Sequence, residues 1–318
     1  MTRRMTQLTA WTNAPGNVRR HTHRNGWPLT QHLAVVLGGV LAALTPLPAF
    51  AQGGTDVWVA SFNESVSRIE VGQPVNVTRR SGYDNQPSFM PDGRAILFTS
   101  IREDAQADIW RVSVTGGTPE RLTGGPESEY SATPIPDGSG YSVIRVEADS
   151  TQRLWKFPFD GGAPTLVLRA LRPVGYHVWV GDSVLGTFVL GDPNALVIVD
   201  ARTEKADTLA RDIGRALVRV PGRDAFTFVQ AGADTSWIIE VDVRTRALRH
   251  VAPAPPRADY HVWTATGTLI SAAGSRLLRW EVGQWVDIVD FADLGIKGIS
   301  RLALSPTGDR IAFVAEDP

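Results

Sequence analysis

From residue 55 onward, short runs rich in Val, Ile, Phe and Trp alternate with breaks made of Gly, Pro and Asp. Such alternation predicts β-strands joined by tight turns. The stretch NQPSFMPDGRAILFTSIRE, residues 85–103, is one unit of it: a polar start, a short strand, a turn at Pro91-Asp92-Gly93 and an apolar strand. It continues through ADIWRVSV, which holds Trp110, into a turn at Gly116-Gly117. Four strands are predicted in this copy, near 86–90, 95–100, 108–114 and 119–122. Elsewhere SVLGTFVL and WIIEVDV are apolar at consecutive positions, as in strands covered on both faces. No stretch of useful length carries a helical period.

The unit repeats. Pro91-Asp92-Gly93 recurs as Pro136-Asp137-Gly138, Trp110 as Trp155, and Gly116-Gly117 as Gly161-Gly162, all at one offset. Weaker turn copies follow at GDS (181–183), PGRD (221–224), ATGT (265–268) and PTGD (306–309), and YHVW occurs at 176–179 and 260–263. Four antiparallel strands in each period of roughly 40–45 residues predict an all-β, six-bladed β-propeller. The last copy, 298–315, contains only two strands, whereas TDVWVASF (55–62) resembles a third strand and PVNVT (74–78) a fourth. These N-terminal strands are therefore expected to complete the last blade and close the ring, hiding its edges.

Charge and composition narrow the function classes. Lys+Arg number 32 against Asp+Glu 33, for a net charge of -1, and the basic residues are dispersed. Nucleic acid is thereby disfavoured as a partner. The chain has no cysteine, which excludes disulfides, thiol catalysis, cysteine zinc sites and a lipid-bearing cysteine. Residues 1–51 combine scattered arginines, the apolar run LAVVLGGVLAALTPLPAF and Ala49-Phe50-Ala51, the pattern of a secretory signal cut after Ala51. A retained membrane anchor is the alternative reading of that run. The expected product is a single propeller domain, 52–318, periplasmic or secreted, monomeric and without stable membrane insertion.

NQPSFMPDGRAILFTS followed by DIWRVSVTGGTPERLT resembles the TolB-type, WD-repeat-like propeller repeat of bacterial periplasmic proteins. The likeness is strong in the first copy, fair in the second, degenerate in the next three, and returns in LALSPTGDRIAFVA. It implies a TolB-like propeller over about residues 55–318, without the small α/β domain that precedes the propeller in TolB itself. The repeat is also similar to the propeller of prolyl-oligopeptidase-type hydrolases, but the chain contains no G-x-S-x-G nucleophile elbow.

Candidate functional residues lie in the loops expected at one end of the central channel. Tyr83, Arg102, Glu103, Asp104, Glu129, Tyr130, Arg172 and Arg257 are the reactive or adhesive side chains there. His177 and His261 occupy one repeat position in two copies, where the first copy has Pro87. Two neutral imidazoles can bind zinc or act as a base, with Asp259 or Glu129 as a third ligand, or they can serve as hydrogen-bonded struts between sheets. Trp58, Trp110, Trp155 and Trp237 fall on predicted third strands, where core packing outweighs sugar stacking. The primary expectation is a non-catalytic module presenting one face to a protein or peptide, with no cofactor and no metal. A channel-mouth metal-assisted hydrolase or lyase and a glycan binder are the alternatives.

Overall fold

The computed structural model describes residues 54–317, so the signal segment and its cleavage point lie outside the described residues. Four antiparallel sheets of four strands follow one another along the chain, spanning residues 128–166, 174–211, 213–253 and 261–290. A nine-stranded sheet joins the two ends of the described chain. Its order runs Ser300–Leu304, Arg310–Glu316, Thr55–Glu64, Tyr83–Phe89, Ala95–Ile101, Ala107–Ser113 and Glu120–Arg121, with Ile69–Val71 and Val75–Asn76 on Thr55–Glu64. Every pair in it is antiparallel except one contact, Thr55 opposite Tyr83, where the two halves meet.

The strands of the first copy, Tyr83–Phe89, Ala95–Ile101, Ala107–Ser113 and Glu120–Arg121, follow the apolar pattern closely. A single turn of 3-10 helix, Ala292–Leu294, accompanies the strands among the described residues. The expected link between the chain ends is present: Thr55 to Ser61 pair in register with Glu316 to Arg310, and Trp58 in turn faces Asn76.

Turn chemistry explains why the Pro-Asp-Gly copies recur. Gly93 and Gly138 adopt positive φ (67° and 72°), and Asp92 and Asp137 accept hydrogen bonds from the amides two residues on. A side chain at the glycine would be strained, and the aspartate fixes the bend before the next strand begins.

The motif Asp-x-Trp…Leu-Thr has an equally local cause. Asp108 accepts from the Thr123 hydroxyl and the Arg121 guanidinium, while the Thr123 hydroxyl receives the Ile109 amide. Asp56, Thr78, Asn76 and Val57 repeat that arrangement in the N-terminal strands. Each buried carboxylate thus ties a third strand to the short fourth strand outside it, where little ladder remains to hold it.

Apolar side chains fill the spaces between consecutive sheets. Phe188, Leu196, Phe226 and Phe228 pack between the 174–211 and 213–253 sheets. Phe62, Phe313 and Ile311 meet Ile270 and Leu277 of the 261–290 sheet, and Val57, Phe98 and Val314 join the halves of the nine-stranded sheet. Ser300–Leu304 also lies beside both His261–Trp263 and Tyr83–Phe89, so the first strands of the last and first copies are neighbours.

Ser61 and Arg310 face each other between two hydrogen-bonded pairs, the closest approach in an antiparallel ladder. The double variant Ser61→Cys/Arg310→Cys should form a disulfide on mild oxidation and raise stability by about 2–4 kcal/mol. Two thiols that stay free under oxidation would contradict the register.

Candidate functional site

The first strands of the copies start at one end of the molecule and surround an open cavity of about 1120 Å³. Four of the five tyrosines of the chain, Tyr83, Tyr130, Tyr176 and Tyr260, line it. So do Arg80, Arg102, Arg215 and Arg301, and no lining residue is acidic. A narrower space of about 150 Å³ continues inward and shares Gln86, Tyr176, Arg215, Tyr260 and Arg301 with the larger one.

Backbone irregularity aims several of these side chains. The ladder between first and second strands shifts register after Asn85, Tyr130 and Ser300. At that point Gln86, Ser131 and Arg301 take positive φ values of 58°, 55° and 51°. An extra residue in left-handed conformation turns its strand locally and re-aims side chains, and such strain is kept where a site needs it. Arg301 illustrates the result. Its guanidinium carbon sits 4.4 Å from the centre of the Tyr260 ring and 5.0 Å from that of Tyr176, and its Nη2 donates to the Tyr176 hydroxyl at 3.1 Å.

The remaining arginines are held differently. Arg102 lies over the Trp110 ring at 3.6 Å and donates to the Ser100 hydroxyl. Arg80 is neutralised by the fully buried Asp84 at 3.2 Å. Among the described residues Arg102, Arg215 and Arg301 have no carboxylate within ion-pair distance. Burial raises the Tyr83, Tyr130 and Tyr260 hydroxyls above their usual range, so all remain neutral donors near pH 7.

The candidate residues read from the sequence divide into three groups. Tyr83, Arg102 and Tyr130 come together on the cavity wall. Arg172 is exposed outside it, and Arg257 lines a neighbouring hollow of about 370 Å³ that also holds Asp259 and shares Tyr260 and Ser300 with the main cavity. Glu129 is fully buried and its Oε1 accepts from Arg145 Nε at 2.8 Å, because a strand-start residue alternates inward where the neighbouring loop residue faces water. Its partner position in the first copy is Asp84, equally buried. Of the third-strand tryptophans, Trp237 sits at the sheet rim against His250, and Trp155 donates to Glu147.

His177 and His261 are buried in place of standing free at the channel mouth. His177 Nε2 is 2.6 Å from the Ser142 hydroxyl, which also receives Trp179 Nε1 at 2.9 Å. His261 Nε2 is 2.7 Å from the Thr227 hydroxyl, which receives Trp263 Nε1 at 3.0 Å. Each YHVW copy therefore grips one hydroxyl on the second strand of the preceding sheet, and both of those hydroxyls occupy the same strand position. Burial pushes both imidazoles down to about 3. Among the described residues no cluster of three His, Asp or Glu side chains is placed to hold a metal ion.

The signals that sequence reasoning missed are Tyr176, Tyr260, Arg215 and Arg301. Tyr176 and Tyr260 were inside the repeated YHVW string, one residue before each histidine. Counting back from the turn copies to the residue before the innermost strand turns inward would have found them, along with Gln86 and Arg301.

With the fold and this cavity described, comparison with known proteins gives the class of the fold. No family model matches the chain. An uncharacterised protein of Agrobacterium fabrum is 35% identical over 81 residues, a match spanning 26% of this chain and 27% of that curated relative. Among solved structures, one from Agrobacterium tumefaciens assigned to TolB superposes with a TM-score of 0.64 at 18% identity, covering 84% of this chain and all of that one (100%). A gluconolactonase from Xanthomonas campestris gives a TM-score of 0.56 at 12% identity over 74% of this chain and 86% of that one. The nidogen/laminin complex gives 0.51 at 13% identity over 83% and 99%. At these identities the likenesses show the fold: a β-propeller. In fold it is similar to the TolB structure.

Two measurements follow from the hydroxyl grips. Ser142→Ala and Thr227→Ala each leave a buried indole N–H and an imidazole without a partner and should cost about 1–3 kcal/mol in unfolding free energy. A loss below about 0.5 kcal/mol in both would contradict the strut role. The second concerns pH. The unfolded chain binds a proton at each imidazole below 6.5, whereas the folded chain refuses it until about 3. Their contribution is therefore complete above pH 6.5 and is lost as pH falls toward 3. Asp84 and Glu129, raised by burial, act with the opposite sign, so the comparison must be internal. The double variant His177→Gln/His261→Gln should lose less stability between pH 6.5 and 4 than the parent, and equal losses would refute the buried-neutral assignment.

Proposed function

We propose that this chain is an exported, six-bladed, non-catalytic propeller that binds a protein or peptide partner at the end of the molecule where the tyrosine- and arginine-lined cavity opens. Six blades are counted by dividing the nine-stranded sheet at its single parallel contact, Thr55 opposite Tyr83. The six apolar clusters support that count, since each lies between two consecutive blades. Export is supported by the signal-like residues 1–51 and by the resemblance to repeats of periplasmic proteins. No helix among the described residues is long and apolar enough to cross a membrane.

The observation that carries the binding reading is the composition of that cavity. Tyr and Arg are the side chains most enriched at interface hot spots, because each combines a large rigid contact surface with a polar tip. Here four tyrosines and four arginines converge on one open hollow. The histidines that an enzymatic reading would use are engaged with Ser142 and Thr227 instead.

A photo-cross-linking residue placed at Tyr130, on the cavity wall, should give one discrete protein adduct in the cells that make this chain. The same residue at Asp137, in the turn at the far end of the first strand, should not. Equal adducts from both positions, or none from Tyr130, would contradict a partner bound at this end.

A further inference from the structure

Around the cavity, among the described residues, Arg215 and Arg301 have no carboxylate within ion-pair distance, whereas Arg102 lies within the field of Asp84 and Glu103. Arg301 is half-buried between Tyr176 and Tyr260, Arg102 lies on Trp110, and Arg215, exposed on the strand Ile213–Arg219, lines the same space. Removing the Arg301 guanidinium from bulk water is costly, and the aromatic faces of Tyr176 and Tyr260 offset only part of that cost, while Arg215 stays exposed and free to meet a ligand. Ordinarily a neighbouring carboxylate completes the compensation. Here no carboxylate of the described residues lines the cavity: Asp84 pairs with Arg80, and Asp259 and Glu316 line the adjoining hollow.

Neutral tyrosine hydroxyls strengthen the case. The Tyr176 oxygen accepts from Arg301, leaving its own proton to donate. Tyr83, Tyr130 and Tyr260 surround the same space, and burial holds their protons well past neutrality. The wall therefore presents positive charge and O–H donors with no acidic lining residue to compete for them. At about 1120 Å³ the space exceeds what a lone small ion fills and lies just above the range of roughly 300–1,000 Å³ usual for small-molecule pockets, room enough for a metabolite or a short peptide.

We infer that the cavity is a binding site for a ligand carrying two or more oxyanion groups, recognised by Arg215 and Arg301 through charge-assisted hydrogen bonds and by the tyrosine hydroxyls. Carboxylates and phosphates share that chemistry, and guanidinium groups accept either. Planar oxyanions match the fork of Arg301 bidentately, while the stacked tyrosines keep that fork from swinging away. The inference rests on reading this cavity as the binding site of the protein, and it specifies what the bound surface must carry.

Equilibrium dialysis of the purified protein against citrate, pyrophosphate and a hexa-aspartate peptide tests it. At least one probe should bind with a dissociation constant below about 1 mM at low salt, weakening as salt rises. Arg215→Gln and Arg301→Gln should each weaken binding about tenfold or more, the loss of one hydrogen bond to a charged group. Arg94→Gln, in the turn at the far end of the first strand, should leave it unchanged. Citrate or hexa-aspartate as the bound probe would assign carboxylates, and pyrophosphate alone would assign phosphates. No binding by any of the three, or binding unchanged in both cavity variants, would overturn the inference. Arg215 is exposed, so its variant decides the matter even if Arg301→Gln fails to fold. If the Tyr130 cross-link persists in Arg215→Gln while no probe binds the parent protein, the oxyanion specificity fails and the partner site stands.

Discussion

The pairing of Thr55–Glu64 with Arg310–Glu316 is the constraint on which the other features depend. It joins segments from opposite ends of the described chain through seven consecutive register partners and buries Val57, Phe62, Ile311 and Phe313 on its two faces. Without it, Arg310–Glu316 would present an open apolar edge, and Ser300–Leu304 would have nothing to hold it beside Tyr83–Phe89. Arg301 belongs to that short strand. Its place between Tyr176 and Tyr260 is therefore a consequence of a ladder formed elsewhere in the same sheet.

The site is assembled by repetition with local variation. Each copy delivers the start of its first strand to the same end of the molecule, so one position per copy suffices to furnish a wall. Gln86, Tyr176, Tyr260 and Arg301 are such positions, and bulges after Asn85 and Ser300 show how the backbone yields to aim two of them. Packing and polar gripping are left to neighbouring positions. One residue after Tyr176 and Tyr260, the histidines secure adjacent sheets through Ser142 and Thr227. A single tetrapeptide thus supplies a cavity wall and an inter-sheet strut. The same division shapes the charge of the lining: carboxylates such as Asp56, Asp108 and Glu129 are buried within or between strands, and the charged residues that line the cavity are arginines.

Much of the architecture was legible in the sequence because it depends on short-range chemistry. Positive φ at Gly93 and Gly138, the aspartates beside them, and the Asp108–Thr123 link are each written within a few residues or one hairpin. The ring-closing role of 55–62 could be read from its likeness to 107–114. The site was only partly legible. Tyr83, Arg102 and Tyr130 were found by loop position, but Glu129 was placed on the surface because a one-residue change of facing at a strand start cannot be read from a loop boundary. His177 and His261 were correctly paired by repeat position, yet their surroundings depend on hydroxyls in the preceding sheet, 35 and 34 residues away. Arg215 stood at no repeat position, and Arg301 was marked only by its distance from the turn copy at 306–309. They matter because of what surrounds them, and that is a property of the closed fold.

Amide hydrogen exchange on residues 55–61 and 310–316 tests the central claim most directly. If these strands close the structure, their amides should exchange with the slowest class, alongside those of Ala95–Ile101 and Ala225–Gln230 in the interiors of other sheets. Exchange at the rate of the loops, with the remaining sheets still protected, would show that the chain folds without that ladder and would contradict the account.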